Sequence, residues 1–345
     1  MTGATPFTSI PIVDISGLRS EDRAERERVA AEIGRAAREV GFLYVSRTGI
    51  DEVLFDRMLA ATKTFFALPV EEKMRSYIGL SSCHRGYVPV GEEGVETGTP
   101  DLKEAFDTAL DLPDDDPDHL AGNPMLGPNV WPDVDGFAEA VTDYYHAVLD
   151  LGHQLLWAFA VALGEDPDTF TRHATKTPCQ LRLVHYPFDQ HAEDVLGIGA
   201  HTDYECFTLL KPTAPGLEVL NGAGEWVDVP PVPDTFVVNV GDMLELWTNG
   251  AYVATSHRVR KVRQERYSFP LFFNVDYHTE VKPLPQFVAG DGASRPALRA
   301  GEHLFAQTAQ TFAYLRSRIE RGELVLPDGS METNSFGQQA LQKRI

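Results

Sequence analysis

Between residues 180 and 275 the chain passes through seven short strand-like stretches: LRLVHYP, HTDYECFTLL, GLEVL, EWVDVP, TFVVNVGD, HRVR and RYSFPLFFNV. Turn signals separate them, and no helical period intervenes. Many short strands joined by Gly and Pro turns imply a sandwich or a barrel rather than a parallel α/β sheet. On a strand, alternate side chains face the same side. Polar residues two apart in an apolar strand therefore share a face, and this chain has two such pairs.

The first pair is His201 and Asp203, at the head of what reads as one strand, HTDYECFTLL. That alternation would carry Glu205, Phe207 and Leu209 onto the same inward face. His257, in TSHRVR, follows Asp203 by 54 residues, far enough for the chain to cross the sheets and return. Two imidazoles and one carboxylate form the facial triad of non-haem Fe(II) sites, whose open positions accept an oxo-acid and O₂. Each ligand alone is weak, because H-x-D arises by chance and a lone histidine is more often simply packed. The second pair is Arg266 and Ser268, in ERYSFPLFF. A planar guanidinium beside a hydroxyl suits a carboxylate. Phe269, Leu271, Phe272 and Phe273 mark this strand as buried, and a buried arginine needs an anion.

The flanks read as helical. SEDRAERERVAAEIGRAAREVG (20–41) predicts a helix capped by Ser20 and ended by Gly41, with Val29, Ile33, Ala37 and Val40 on one face. FLYVS (42–46) reads as a strand and DEVLFDRMLAATKTFFALP (51–69) as a second helix. Residues 79–134, rich in Gly, Pro and Asp, show little period and read as a functional loop or a connector. A long helix is expected over 135–164, capped by Asp135, and a single one over 301–320. His146 and His153 on the long helix have no third ligand nearby and read as surface or core residues.

Charge and cysteine content narrow the setting. With 30 basic against 51 acidic residues, a net charge of −21 repels phosphate backbones, so nucleic acid is not an expected partner. The acidic run DLPDDDPD (111–118) reads as a solvated loop. Cys83, Cys179 and Cys206 are odd in number and widely spaced, which speaks for a reducing compartment. No signal peptide and no membrane span is legible, so the expectation is a cytoplasmic protein without a membrane partner.

PIVDIS (11–16), GFLYV (41–45), RGYVP (85–89), PDLKEAFD (100–107), GPNVWP (127–132), VVNVGDMLELWTNG (237–250) and TSHRVR (255–260), together with H-T-D, His257 and R-x-S, carry a resemblance. Over nearly its whole length the chain resembles the Fe(II)/2-oxoglutarate dioxygenases of the isopenicillin N synthase-like family. The resemblance implies a mainly β fold with flanking helices (α+β). Its core would be a double-stranded β-helix, or jelly roll. Residues 1–125 would form the N-terminal helical region and 126–345 the jelly-roll domain, as one compact unit. It further implies Fe(II) on His201, Asp203 and His257, and 2-oxoglutarate with its far carboxylate on Arg266 and Ser268. O₂ would be the second co-substrate.

Tyr186 matches a tyrosine that touches the co-substrate; a packed aromatic is the plain alternative. Arg182 shares its strand face and would contact co-substrate or substrate. Plant members usually carry Asn at the position of Val184, so one hydrogen bond to the co-substrate is missing. Arg85 is either a substrate contact or a loop anchor. Glu205 stands where relatives often have a small residue. It is either a contact for a substrate group such as an amine, or turned to solvent at a bulge.

The implied activity is oxidation of an unactivated C–H bond of a small molecule, an amino acid or natural-product intermediate. Hydroxylation leads, with desaturation or cyclisation as variants. An isopenicillin N synthase-type oxidase that dispenses with 2-oxoglutarate, and an ethylene-forming enzyme, stand beside it. From other classes come a Zn hydrolase, which lacks a general base near H-T-D, and a non-catalytic binding jelly roll. No obligate protein partner is implied.

Overall fold

The computed structural model describes residues 6–94, 103–187, 196–260, 264–288 and 295–327. Twelve strands build its two main sheets. In chain order they are β1 (Ile12–Asp14), β2 (Phe42–Ser46), β3 (Gly86–Val88), β4 (Glu104–Ala109), β5 (Gln180–Tyr186) and β6 (Leu196–His201), then β7 (Phe207–Pro212), β8 (Leu217–Leu220), β9 (Trp226–Asp228), β10 (Thr235–Val240), β11 (His257–Arg260) and β12 (Arg266–Phe273). The large sheet runs β1-β2-β10-β7-β12-β5-β4-β3 and the small one β6-β11-β8-β9. Within them only the β1–β2 pairing is parallel. Two antiparallel sheets facing one another form the expected jelly roll. Strands from both sides of residue 125 share the large sheet.

The main helices are α1 (Arg23–Glu39), α2 (Glu52–Phe66), α3 (Phe137–Ala162), α4 (Asp242–Trp247), α5 (Ala300–Thr311) and α6 (Ala313–Glu320). Helix α3 buries Val141, Tyr144, Val148, Leu151, Leu155 and Phe159 in the main core. Phe159 meets the Phe207 ring at 5.3 Å, and Phe207 stacks on Phe273 at 4.8 Å. Gly152 lets the helix close on the sheet, since a Cβ there would lie 2.2 Å from the Phe273 ring. His146 and His153 pack edge-on against Tyr145 and Phe273, not around a metal. No helix among the described residues is long and apolar enough to cross a membrane.

Several boundaries differ from expectation. Helix α1 is capped by Asp22, which accepts from Ala24 N at 2.9 Å, because Ser20 closes the preceding 3-10 turn. Helix α3 starts after Gly136, whose φ of 72° turns the chain, and not at Asp135. The 301–320 helix breaks at Phe312, which is extended. The break frees the N–H groups of Ala313 and Tyr314 to bond Glu92, at 2.9 Å to its carbonyl and 2.8 Å to its Oε1. The segment 79–134 contains β3 and β4. Every residue of β4 is buried, so no polar alternation betrays it. Residues 100–102 of PDLKEAFD lie outside the described residues.

Candidate active site

The two sheets enclose a cavity of about 280 Å³. His201 closes β6 and His257 opens β11, directly opposite each other in the small sheet. HTDYECFTLL is not one strand. It leaves the small sheet after His201, bends through 202–206, and enters the large sheet as β7. The bend is fastened from below by the start of α4. Asp242 N donates to Asp203 O (2.9 Å), Met243 N to Glu205 O (3.1 Å) and Gly241 N to Cys206 O (2.9 Å). Gly241 must be glycine here, as a Cβ would lie 2.3 Å from the Glu205 carbonyl. The bend shifts the alternation: Thr208 and Leu210 line the cavity, while Phe207 and Leu209 enter the core behind it. The expected inward face for Phe207 and Leu209 is thus corrected.

His201, Asp203 and His257 each offer one ligand atom, all within 4.8 Å of one another. The His201 and His257 Nε2 atoms stand 3.7 and 3.6 Å from Asp203 Oδ1. Their Nδ1 atoms face carbonyls, Gly199 O at 2.8 Å and Thr255 O at 3.2 Å. A carbonyl only accepts, so each Nδ1 carries the proton and each Nε2 lone pair points at the common centre. Asp203 Oδ2 is held by the Thr208 hydroxyl and by Asn239 Nδ2 (2.7 Å), leaving Oδ1 toward the histidines. Burial and the neighbouring His257 push His201 down to about 4, so its imidazole is neutral. Burial raises Asp203, but the two imidazoles and Thr208 outweigh it and keep the carboxylate well below its usual range. For His257 burial lowers and Asp203 raises, with a net rise. This donor set fits a divalent transition metal. Thr208, Asn239 and Gly241 escaped the sequence reading; parity from Asn239 in VVNVGD was the available signal.

At one end of the cavity sits Arg266, 1% exposed. Its Nε donates to Ala214 O at 3.2 Å and its guanidinium lies 4.7 Å from the Tyr186 ring centre. Its Nη1 is buried and meets no partner among the described residues. Arg266 pairs across the strands with Tyr186, and Ser268 with Val184. All four residues line the cavity. A buried guanidinium without an anion fits a carboxylate from a ligand.

The other end differs. Arg182 gives Nε and Nη2 to the two oxygens of Asp107 (2.7 and 2.8 Å) and Nη1 to both oxygens of Glu93 (3.0 and 2.9 Å). Lys103 Nζ adds a 3.2 Å pair to Glu93. Burial raises Glu93, but Arg182 and Lys103 hold it down at about 2. Arg182 lines the cavity, but its guanidinium hydrogen bonds go to the protein's own carboxylates. Arg85 is fully buried and bonds the carbonyls of Cys83 (2.8 Å), His84 (3.0 Å) and Met125 (2.6 Å). It does not line the cavity. It anchors the loop around His84, whose φ of 61° is left-handed, so the substrate-contact reading is set aside. Glu205 lines the cavity at 6% exposure, which removes the solvent-facing option. Burial and the charge of Asp203 push its carboxyl up to about 8.

Residues 10–134 match the family described as non-haem dioxygenase in morphine synthesis N-terminal, and residues 177–275 the 2OG-Fe(II) oxygenase superfamily. The homoarginine-6-hydroxylase 2-ODD-C23 of Glycine max is 35% identical over 90% of this chain and 100% of its own length. The 2-oxoglutarate-dependent dioxygenase caaD of Aspergillus niger is 36% identical over 82% of this chain and 89% of its own. Among solved structures, a 2OG-Fe(II) oxygenase family protein from Caulobacter crescentus superposes with a TM-score of 0.77 at 31% identity, covering 91% of this chain and 99% of that one. A full-length Neurospora crassa protein, solved in complex with alpha-KG and thymine, gives 0.76 at 26% identity, covering 87% and 96%.

Proposed function

The chain belongs to the 2OG-Fe(II) oxygenase superfamily, and from that premise we propose which of its residues carry the activity. The enzyme is a 2-oxoglutarate-dependent dioxygenase using Fe(II) and O₂. In this reading His201, Asp203 and His257 hold the iron. Arg266 and Ser268 take the far carboxylate of 2-oxoglutarate, and the Tyr186 ring backs the guanidinium. The unpaired, buried Arg266 on the strand face toward the triad is the observation that carries it. Bound there, Fe(II) and 2-oxoglutarate would supply oxidation of a substrate C–H bond by O₂, coupled to conversion of 2-oxoglutarate to succinate and CO₂.

The protein's own part is placement and exclusion. Thr208 and Asn239 fix the Asp203 oxygen; Gly199 and Thr255 carbonyls fix the imidazole protons. Val184, Leu210 and Leu217 provide an apolar wall that excludes water. The cavity volume suits a small molecule, not a macromolecule. The homoarginine-6-hydroxylase names among the relatives support hydroxylation of an amino-acid-sized substrate. Three free, buried cysteines support a reducing, cytoplasmic setting.

The test measures metal content, 2-oxoglutarate binding without oxygen, and succinate release. Wild type is expected to bind Fe(II) and 2-oxoglutarate stoichiometrically, and His201→Ala to lose both metal and O₂ consumption. Substrate oxidation at full rate without 2-oxoglutarate, or stoichiometric zinc with no iron-dependent turnover, would overturn the reading.

A further inference from the structure

Gln180 opens β5 and shares its face with Arg182, Val184 and Tyr186; all four line the cavity. It is 8% exposed, and its Nε2 is buried without a partner. Its amide oxygen has no hydrogen bond among the described residues either. Its neighbours across the sheet are Phe272 and Ala109, whose side chains have no polar atom to give it. A buried carboxamide with neither end satisfied is costly unless a ligand completes it.

The strand register sets Gln180 beside the triad. Asn239, Thr208, Phe272 and Gln180 form one row across β10, β7, β12 and β5. Thr208 and Asn239 are the residues that hold Asp203. With strands about 4.8 Å apart, Gln180 stands roughly 10 Å from Thr208 along this row. Tyr186 and Arg266 face each other six residues further along β5, roughly 20 Å away. A ligand group on Gln180 is therefore level with the metal site and clear of Arg266.

A second polar group at this end is in the same condition. His84 lines the cavity and is 2% exposed. Its Nδ1 lies 2.6 Å from the Tyr314 hydroxyl, which has no other partner among the described residues. That hydroxyl donates to Nδ1, so the imidazole proton sits on Nε2. Nε2 is buried and meets no acceptor. The cations lining this end, Arg182 and Lys103, are bound to the protein's own carboxylates. What they leave for a ligand is a neutral carboxamide and a neutral N–H.

We propose that Gln180 sets substrate specificity by receiving an amide-type group, a carbonyl with an adjacent N–H as in a primary amide, a lactam or an imide. A carboxamide is itself such a group, so the two pair through N–H to C=O bonds in both directions, and the His84 N–H is a further donor at the same end. The bound molecule then presents a neighbouring C–H bond to the metal site. This rests on the dioxygenase reading above.

The test uses the Fe(II)-loaded full chain and pairs of probes that differ by N-methylation: nicotinamide against N,N-dimethylnicotinamide, δ-valerolactam against N-methyl-δ-valerolactam, and glutarimide against N-methylglutarimide. Binding is measured by calorimetry with 2-oxoglutarate present and oxygen absent. The N–H member of at least one pair is expected to bind about threefold to tenfold more tightly than its methylated partner. Gln180→Leu and Gln180→Met, two apolar variants of similar length, should both erase that ratio, and Gln180→Asn should keep part of it. Their 2-oxoglutarate affinity should match that of wild type, because Arg266 lies at the other end. An N–H preference that survives in the apolar variants, or none in any wild-type pair, would overturn the proposal. Failure of wild type to bind 2-oxoglutarate would instead overturn the dioxygenase reading, whatever the probes do.

Discussion

Arg266 and Arg182 lie on adjacent strands of one sheet, at opposite ends of one cavity. Both are buried and both face inward. Arg266 meets a carbonyl and an aromatic ring, and its Nη1 is left over. Arg182 meets four carboxylate oxygens. The difference teaches that burial only makes a guanidinium demand an anion. Whether the chain or a ligand supplies that anion decides if the residue is structure or receptor.

The comparison is open to attack from both sides. The largest expected effect is on stability. Arg182→Met leaves Asp107 and part of Glu93 unpaired, and denaturant unfolding should show a loss of about 3–5 kcal/mol. 2-Oxoglutarate affinity of the folded fraction should stay near that of wild type; a collapse of that affinity would mean Arg182 is a receptor after all. Arg266→Met should do the reverse. Here 2-oxoglutarate binding weakens by about 2–5 kcal/mol, while the unfolding midpoint moves little, since a buried charge lacking an anion is removed. If Arg266→Met instead unfolds the protein with unchanged co-substrate affinity, the two roles have been exchanged.

The smallest effect is a pH dependence. Glu93 is lowered in the fold, from an ordinary 4.5 to about 2. A depressed carboxyl contributes stability above its unfolded value and loses it as pH falls, here between about 4.5 and about 2. The contribution at neutral pH is at most about 3 kcal/mol. Asp107 is raised by burial and titrates with the opposite sign. The clean measure is therefore the difference between wild type and Glu93→Gln in acid unfolding. A difference that does not shrink below pH 4.5 would show that Glu93 is not held by Arg182 and Lys103.

Much of the site was legible because its signals are local. His201 and Asp203 sit two apart, Arg266 and Ser268 likewise, and ligand chemistry narrows what such pairs can hold. Strand β2 was read at its observed bounds, and the stripe on α3 was plain from its period. The partners of Arg182 were not legible. Asp107 and Glu93 come from a stretch of little period, 75 and 89 residues away in the chain. The bend at 202–206 was hidden too, because HTDYECFTLL alternates well enough to pass for one strand. Its geometry comes from N–H groups of α4, some 40 residues downstream.

The sequence by itself determined the donor types, their spacing along each strand and the helical stripes, since these depend on periods of two and 3.6 residues. The tertiary structure alone decided which side of the bend Phe207 faces, that Arg85 anchors a loop, that Arg182 is already paired, and that Glu205 is not. Pairing of buried charges depends on which distant segments meet across the sheets, and no local pattern records that meeting.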